Sequence, residues 1–139
     1  KTIYEYIDTG KPLLAICLGF QMLFSQSIEL NEKTKGLDII KGEILKIPKN
    51  KNNKIPHVGW NKVLPVQKNN IIKQESPFYF VHSFYAKPLE DRFKLTKTYY
   101  YDLEFCSSIL LDNIFGCQFH PEKSGADGIK LISSYFKNV

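Results

Sequence analysis

At 139 residues with 43% hydrophobic side chains and a net charge of +5, the chain carries enough apolar surface for one domain with its own core and too little length for two. Its apolar runs fall short of the roughly 20 residues that span a bilayer, and its start has no signal-peptide pattern. The lysines gather in solvated stretches such as Lys49-Asn50-Lys51-Asn52-Asn53-Lys54 beside a single arginine, Arg92, which excludes a phosphate-reading surface of basic side chains interleaved with stacking aromatics.

Residues 2–8 read as the last turns of a helix, with Ile3, Tyr6 and Ile7 on one face and Gly10 closing it. Residues 12–17 form a continuous apolar run, expected for a buried parallel strand, and a helix is predicted from Leu18 to about Ser27. From Gly36 the texture changes to short strands between turn residues, at 42–47, 57–63 and 78–82, with a polar loop over 49–54. Strands are expected at 94–101, 104–111 and 114–119, the last two joined by an Asp112-Asn113 turn. An amphipathic helix, Gly125–Lys137, closes the chain, with Ile129, Ile132 and Phe136 sharing a face. The expected fold is an α/β sandwich with added antiparallel strands in a single domain.

Cys17 stands where the first strand meets the helix. A thiol on such a turn, with unpaired backbone N–H groups of the helix start behind it, is a nucleophile elbow in which the thiolate is expected to be favoured. Downstream, the run ending in His120-Pro121-Glu122 supplies a base and a carboxylate to orient it, the thiol counterpart of Ser-His-Asp logic. A buried structural role is the ordinary fate of a cysteine at a strand end; it is the reading for Cys106 and Cys117. Three cysteines without paired spacing suit a reducing, cytoplasmic setting.

Three stretches, Ala15-Ile16-Cys17-Leu18-Gly19-Phe20-Gln21, His82-Ser83-Phe84-Tyr85 and Gln118-Phe119-His120-Pro121-Glu122-Lys123-Ser124, resemble the signatures of class I, triad-type glutamine amidotransferases. Within that family Ile55-Pro56-His57-Val58-Gly59-Trp60-Asn61 and the run from Phe78 to Ser83 are similar to glutaminase subunits of imidazole glycerol phosphate synthases. The resemblance implies a flavodoxin-like α/β fold and a domain that hydrolyses glutamine and hands ammonia to a partner, here a (β/α)₈-barrel cyclase of histidine biosynthesis. It implies no cofactor, no metal, no nucleic acid and no membrane. Two departures stand out: Ala15 replaces a family glycine, and the family's N-terminal segment, which supplies part of the oxyanion hole, has no counterpart. The chain is therefore expected to be the C-terminal two-thirds of the family domain and, alone, a poor glutaminase, since one lost oxyanion donor costs about 10²–10³ in turnover.

On that resemblance Cys17 is the nucleophile, His120 the base and then acid, Glu122 its orienting carboxylate, and the Leu18 N–H an oxyanion donor. Gln21 and Glu29, in or just after the elbow helix, would hold glutamine with the backbone of Ser83 and Phe84. His82, on composition, is a satisfied core histidine. Trp60, Tyr85 and Lys123 are candidates for the partner-facing surface. Three rival readings stay open: an ammonia donor to a different synthase, such as a sugar amidotransferase of surface-polysaccharide pathways; a non-catalytic binding module on the same fold; and a free-standing thiol hydrolase or peptidase.

Overall fold

The computed structural model describes residues 2–29 and 32–138, with the side chain of Glu29 outside the described residues. Among the described residues three α-helices, α1 (Ile3–Ile7), α2 (Leu18–Met22) and α3 (Gly125–Lys137), accompany ten strands. The strands are β1 (Leu13–Ile16), β2 (Phe24–Glu29), β3 (Glu32–Lys35), β4 (Ile40–Lys46), β5 (His57–Pro65), β6 (Ser76–His82), β7 (Phe84–Pro88), β8 (Lys94–Tyr100), β9 (Leu103–Leu111) and β10 (Ile114–Cys117). They form one sheet in the order β3-β2-β4-β7-β9-β8-β5-β6, with β10 joining β9 to β1. Among the described residues, parallel pairing is confined to β1 with β10 and β2 with β4.

Side-chain alternation along β1 and β10 divides the core in two. Ala15 and Ile114 face one way, into a cluster with Phe20 and Leu23 of the α2 region, Phe24, Ile40, Ile44 and Ile109. Phe115 and Cys117 face the other way, against Phe78, Phe80, Phe105, Phe119, and Leu131 and Tyr135 of α3. The sheet is thus covered on both faces near β1 and β10, which explains why their sequences are continuously apolar. Gly116 lets α2 approach: a Cβ there would lie 2.7 Å from the Phe20 ring.

Strands β3 and β7 are additions to the expected elements, and two helices differ from expectation. The helix after Cys17 ends at Met22, and residues 24–29 are the strand β2. Its terminal carbonyls are captured from afar: Leu37 N–H donates to Met22 O at 2.8 Å, and the Ile39 and Ile40 N–H groups both donate to Leu23 O at 2.9 Å. Gly36 makes the crossing possible, because a Cβ there would sit 2.0 Å from Phe24 O.

The last helix has the predicted bounds but a different inward face. Gly128, Leu131 and Tyr135 are buried, whereas Ile129 is 68% and Phe136 50% exposed. The Tyr135 hydroxyl reaches Asn113 O at 2.6 Å and Leu13 O at 3.0 Å, so a polar-ended ring packs at the centre. Gly128 brings the helix start onto the turn at Pro121, whose carbonyl would lie 1.8 Å from any Cβ.

Candidate active site

Parallel pairing of β1 with β10 aligns Ile16 with Cys117, and the Cys17 N–H extends the ladder by donating to Cys117 O at 2.8 Å. The chain then turns sharply. Cys17 holds φ 49°, ψ −103°, a conformation that costs a side-chain-bearing residue of order 1–3 kcal/mol. One residue on, α2 begins, with the Gln21 N–H donating to Cys17 O at 3.0 Å. The turn is not crowded against β1, since even a Cβ at position 19 would meet that of Ala15 only at an ordinary contact distance of 3.9 Å; the alanine is therefore compatible with the elbow.

His120 follows β10 on the adjacent strand end. Its N–H donates to Tyr79 O at 2.8 Å. The Ser124 hydroxyl locks the same turn, donating to His120 O at 2.6 Å and accepting from the Tyr79 N–H at 2.9 Å. Residues Pro121–Lys123 form a 3₁₀ turn that brings Glu122 back to the imidazole, with Nδ1 and Oε1 2.7 Å apart. A carboxylate only accepts, so Nδ1 carries the proton and Nε2 is left as the basic nitrogen. Among the described residues Nε2 is buried with no hydrogen-bond partner.

The thiol is not yet engaged with that nitrogen. Cys17 Sγ donates instead to Val81 O at 3.8 Å and accepts from Gln118 Nε2 at 3.7 Å. Burial pushes the thiol above its ordinary pKa. The Leu18 N–H, then the Gln118 amide, oppose that rise, while the Glu122 charge adds to it and Lys123 lowers it. The expectation of a thiolate favoured by the helix start is thereby corrected: desolvation outweighs the N–H groups of a five-residue helix, so a base must take the proton. The Leu18 N–H lies on the sulfur side of the elbow, while its side chain is 63% exposed.

Behind the sulfur runs a chain of polar groups. Gln21 Nε2 donates to Phe84 O at 3.0 Å and to Gln118 Oε1 at 2.9 Å, which spends both its amide protons on the protein. Phe84 O also accepts from His82 Nδ1 at 2.7 Å. A main-chain carbonyl cannot donate, so His82 Nε2 must accept, and it does so from His57 Nδ1 at 2.9 Å. His57 Nε2 in turn faces Asn61 Nδ2 at 3.3 Å. Every tautomer in the chain follows from one carbonyl. His82, 6% exposed, has the satisfied core role expected of it.

The other expected site residues divide. Ser83 and Phe84 lie beside the elbow, but their carbonyls are occupied: Ser83 O accepts from the Ile47 N–H at 2.9 Å. Glu29 stands on β2, opposite Glu32 of β3, rather than on or after a helix; its side chain lies outside the described residues. Trp60 is 58% exposed. It pairs with Tyr79, the residue bridged to His120, on a solvent face shared with Val58 and Val81. Lys123 is exposed on the neighbouring turn. Tyr85 is turned elsewhere, half-buried near Phe105 with ring centroids 6.4 Å apart, lining a cavity of about 540 Å³ with Lys97 and Glu104.

Cys106 and Cys117 are buried and free. Burial raises the Cys106 thiol to about 12 and holds Cys117 well above its ordinary value, so both are inert structural groups. Among the described residues no group of three or more His, Cys, Asp or Glu could hold a metal ion, and no helix is long and apolar enough to cross a membrane. Sequence reasoning missed Gln118, His57 and Asn61 as members of the site. Gln118 carried a signal, a glutamine in an otherwise apolar strand end two residues before the histidine.

This geometry has counterparts. The family model described as glutamine amidotransferase class-I matches residues 1–138. The imidazole glycerol phosphate synthase subunit HisH of Caldanaerobacter subterraneus subsp. tengcongensis is 44% identical over 145 residues, covering 97% of this chain and 66% of that protein. The subunit of the same name from Pyrococcus furiosus is 45% identical, over 96% of this chain and 68% of its own length. The chain thus spans about two thirds of the length of these relatives. Among solved structures, a glutamine amidotransferase from Thermotoga maritima shares the fold with a TM-score of 0.62 at 19% identity, over 98% of this chain and 51% of that one.

Proposed function

The chain belongs to the class-I glutamine amidotransferase family, and from that premise we propose that it hydrolyses glutamine to glutamate and ammonia through Cys17, His120 and Glu122. One observation carries the reading. Two paired parallel strands end in a strained, part-buried thiol one residue past Ile16 and, three residues past its register partner Cys117, in a histidine whose Nδ1 is held by a carboxylate at 2.7 Å and whose Nε2 is unpartnered among the described residues.

In the proposed reaction the thiol turns from Val81 O to His120 Nε2 and gives up its proton as sulfur attacks the side-chain carbonyl of glutamine. The negative charge that develops on oxygen is met by the Leu18 N–H. Imidazolium, stabilised by Glu122, returns the proton to the departing nitrogen, and ammonia leaves. Water, deprotonated by the same histidine, then cleaves the γ-glutamyl thioester and releases glutamate and the thiol. Gln21 Oε1 and the backbone about Ser83 and Phe84 are the groups proposed to hold the glutamine, with Glu29 a further candidate.

The acceptor of the ammonia is proposed by analogy with the relatives named HisH: a barrel-type cyclase subunit that builds an imidazole ring for histidine biosynthesis in the cytoplasm. The apolar solvent face of Val58, Trp60 and Val81 beside His120, with Lys123 at its edge, supports docking there, whereas the inward turn of Tyr85 gives it no share in that surface. The test is glutamate release by the full-length chain, with and without the cyclase partner and its nucleotide ligand. Release stimulated by the partner and lost in Cys17→Ala is the expected result. Cys17-dependent release indifferent to that partner assigns the ammonia to another synthase, and no release under any condition overturns the proposal.

A further inference from the structure

Gln118 is fully buried, and a side-chain amide in that position must justify its desolvation. Its orientation is not free. Gln21 Nε2 faces Phe84 O at 3.0 Å, and a carbonyl accepts only, so the group Gln21 presents to Gln118 at 2.9 Å is a donor. The atom of Gln118 that meets it is therefore the oxygen, and the amide nitrogen is compelled toward Cys17 Sγ, 3.7 Å away. A thiol gains little from accepting such a bond. A thiolate gains much more, because a hydrogen bond to an ionised acceptor is about twice as strong as a neutral one.

From this we infer that Gln118 is a catalytic residue that donates to the Cys17 sulfur and stabilises its thiolate, and that Gln21 acts as the positioning residue that aims it. The inference rests on the reading of Cys17 as nucleophile and deepens it. It accounts for a buried amide whose two ends are committed to Gln21 and the Cys17 sulfur, and for the commitment of both Gln21 amide protons to the protein. It also answers the desolvation of the thiol, because the donor acts from the buried side, where water cannot substitute.

The probe is iodoacetamide, with the rate of Cys17 alkylation followed against pH in the full-length chain and each labelled cysteine located by peptide mapping. This readout needs no glutamine turnover, so its failure is separable from failure of the glutaminase proposal. In Gln118→Met, similar in length without a donor, the midpoint of the profile is expected to rise by about one pH unit, with alkylation near neutral pH slower by about tenfold. In a turnover assay kcat falls by a similar factor with KM unchanged. In Gln118→Glu, which keeps the shape but ionises, the midpoint rises further. Labelling confined to Cys17 certifies that each variant is folded, since Cys106 and Cys117 are buried. Where Gln118→Met also labels those two, the Gln118→Glu profile decides. A folded variant with the parent's pH profile overturns the inference.

Discussion

The buried pair His57 and His82 makes the fold sensitive to mild acid in a way that can be worked out from its contacts. Burial, and then the proximity of His82, lowers His57 from 6.5 to about 3; burial lowers His82 to about 4, only partly offset by its bond to Phe84 O. Both rings are neutral in the folded state at pH 5, whereas in the unfolded chain both bind a proton below 6.5. The unfolded state therefore takes up more protons as pH falls, and stability, intact above 6.5, is lost progressively down to the folded values of about 3 to 4. At pH 5 each histidine sits about 1.5 pH units below its unfolded pKa, which at about 1.4 kcal/mol per unit is about 2 kcal/mol each and about 4 kcal/mol for the pair. That is a large part of the total of about 5–15 kcal/mol that holds an ordinary domain folded. Urea unfolding of the full-length chain at pH 7.5 and pH 5 measures it. His57→Gln supplies the control, because an amide can still donate to His82 Nε2 and accept from Asn61 but does not titrate. The loss between the two pH values should shrink by about half in that variant, whatever its absolute stability after losing the stack of His57 on Tyr100, whose ring centroid is 3.9 Å away. A pH dependence unchanged by His57→Gln would refute the reasoning.

Three further outcomes follow from single residues. Cys17→Gly should unfold at higher denaturant than Cys17→Ala, by up to about 2 kcal/mol, because glycine relieves the φ 49° strain that alanine retains; equal midpoints would remove strain from the account of the elbow. Gly116→Ala should cost about 1–3 kcal/mol in the same assay, since its new methyl meets Phe20, Ile109 and Leu23 within 3.2 Å at a buried site, and an unaffected midpoint would show that α2 can retreat. Glu122→Gln should lower kcat by about 10²-fold while leaving KM alone, because an amide at 2.7 Å from Nδ1 no longer stabilises imidazolium; a raised KM with full kcat would make Glu122 a binding group instead.

The parts of the site legible in the sequence were those written locally. A continuous apolar run ending in Cys17, and another ending in His120-Pro121-Glu122, are each contained within about eight residues, and the first run already pointed to a buried parallel strand, although not to β10 as its partner. What escaped was non-local. Nothing in residues 18–27 says that α2 stops at Met22, because the groups that end it arrive from residues 36–40. The inward face of α3 was misphased because Ile129 and Phe136 look more apolar than Tyr135, whose hydroxyl is paid for by carbonyls more than twenty residues away in sequence. The polar chain through Gln118, Gln21, His82 and His57 joins four separate segments, and no one segment shows that its polar residue has a partner in another. Glycines were the best unread clue: positions 36, 116 and 128 each mark a backbone approach too close for a side chain.

The most direct test of the account is to look for the covalent intermediate. The full-length chain is mixed with glutamine labelled in its carbon skeleton, with the cyclase partner present, quenched in acid during turnover and mapped by mass spectrometry. The account predicts a γ-glutamyl thioester on the peptide bearing Cys17, absent in Cys17→Ala and never on Cys106 or Cys117, which are buried too deeply to react. Turnover without a thioester at Cys17 under conditions that trap one in a known relative, or label on either of the other cysteines, would contradict it.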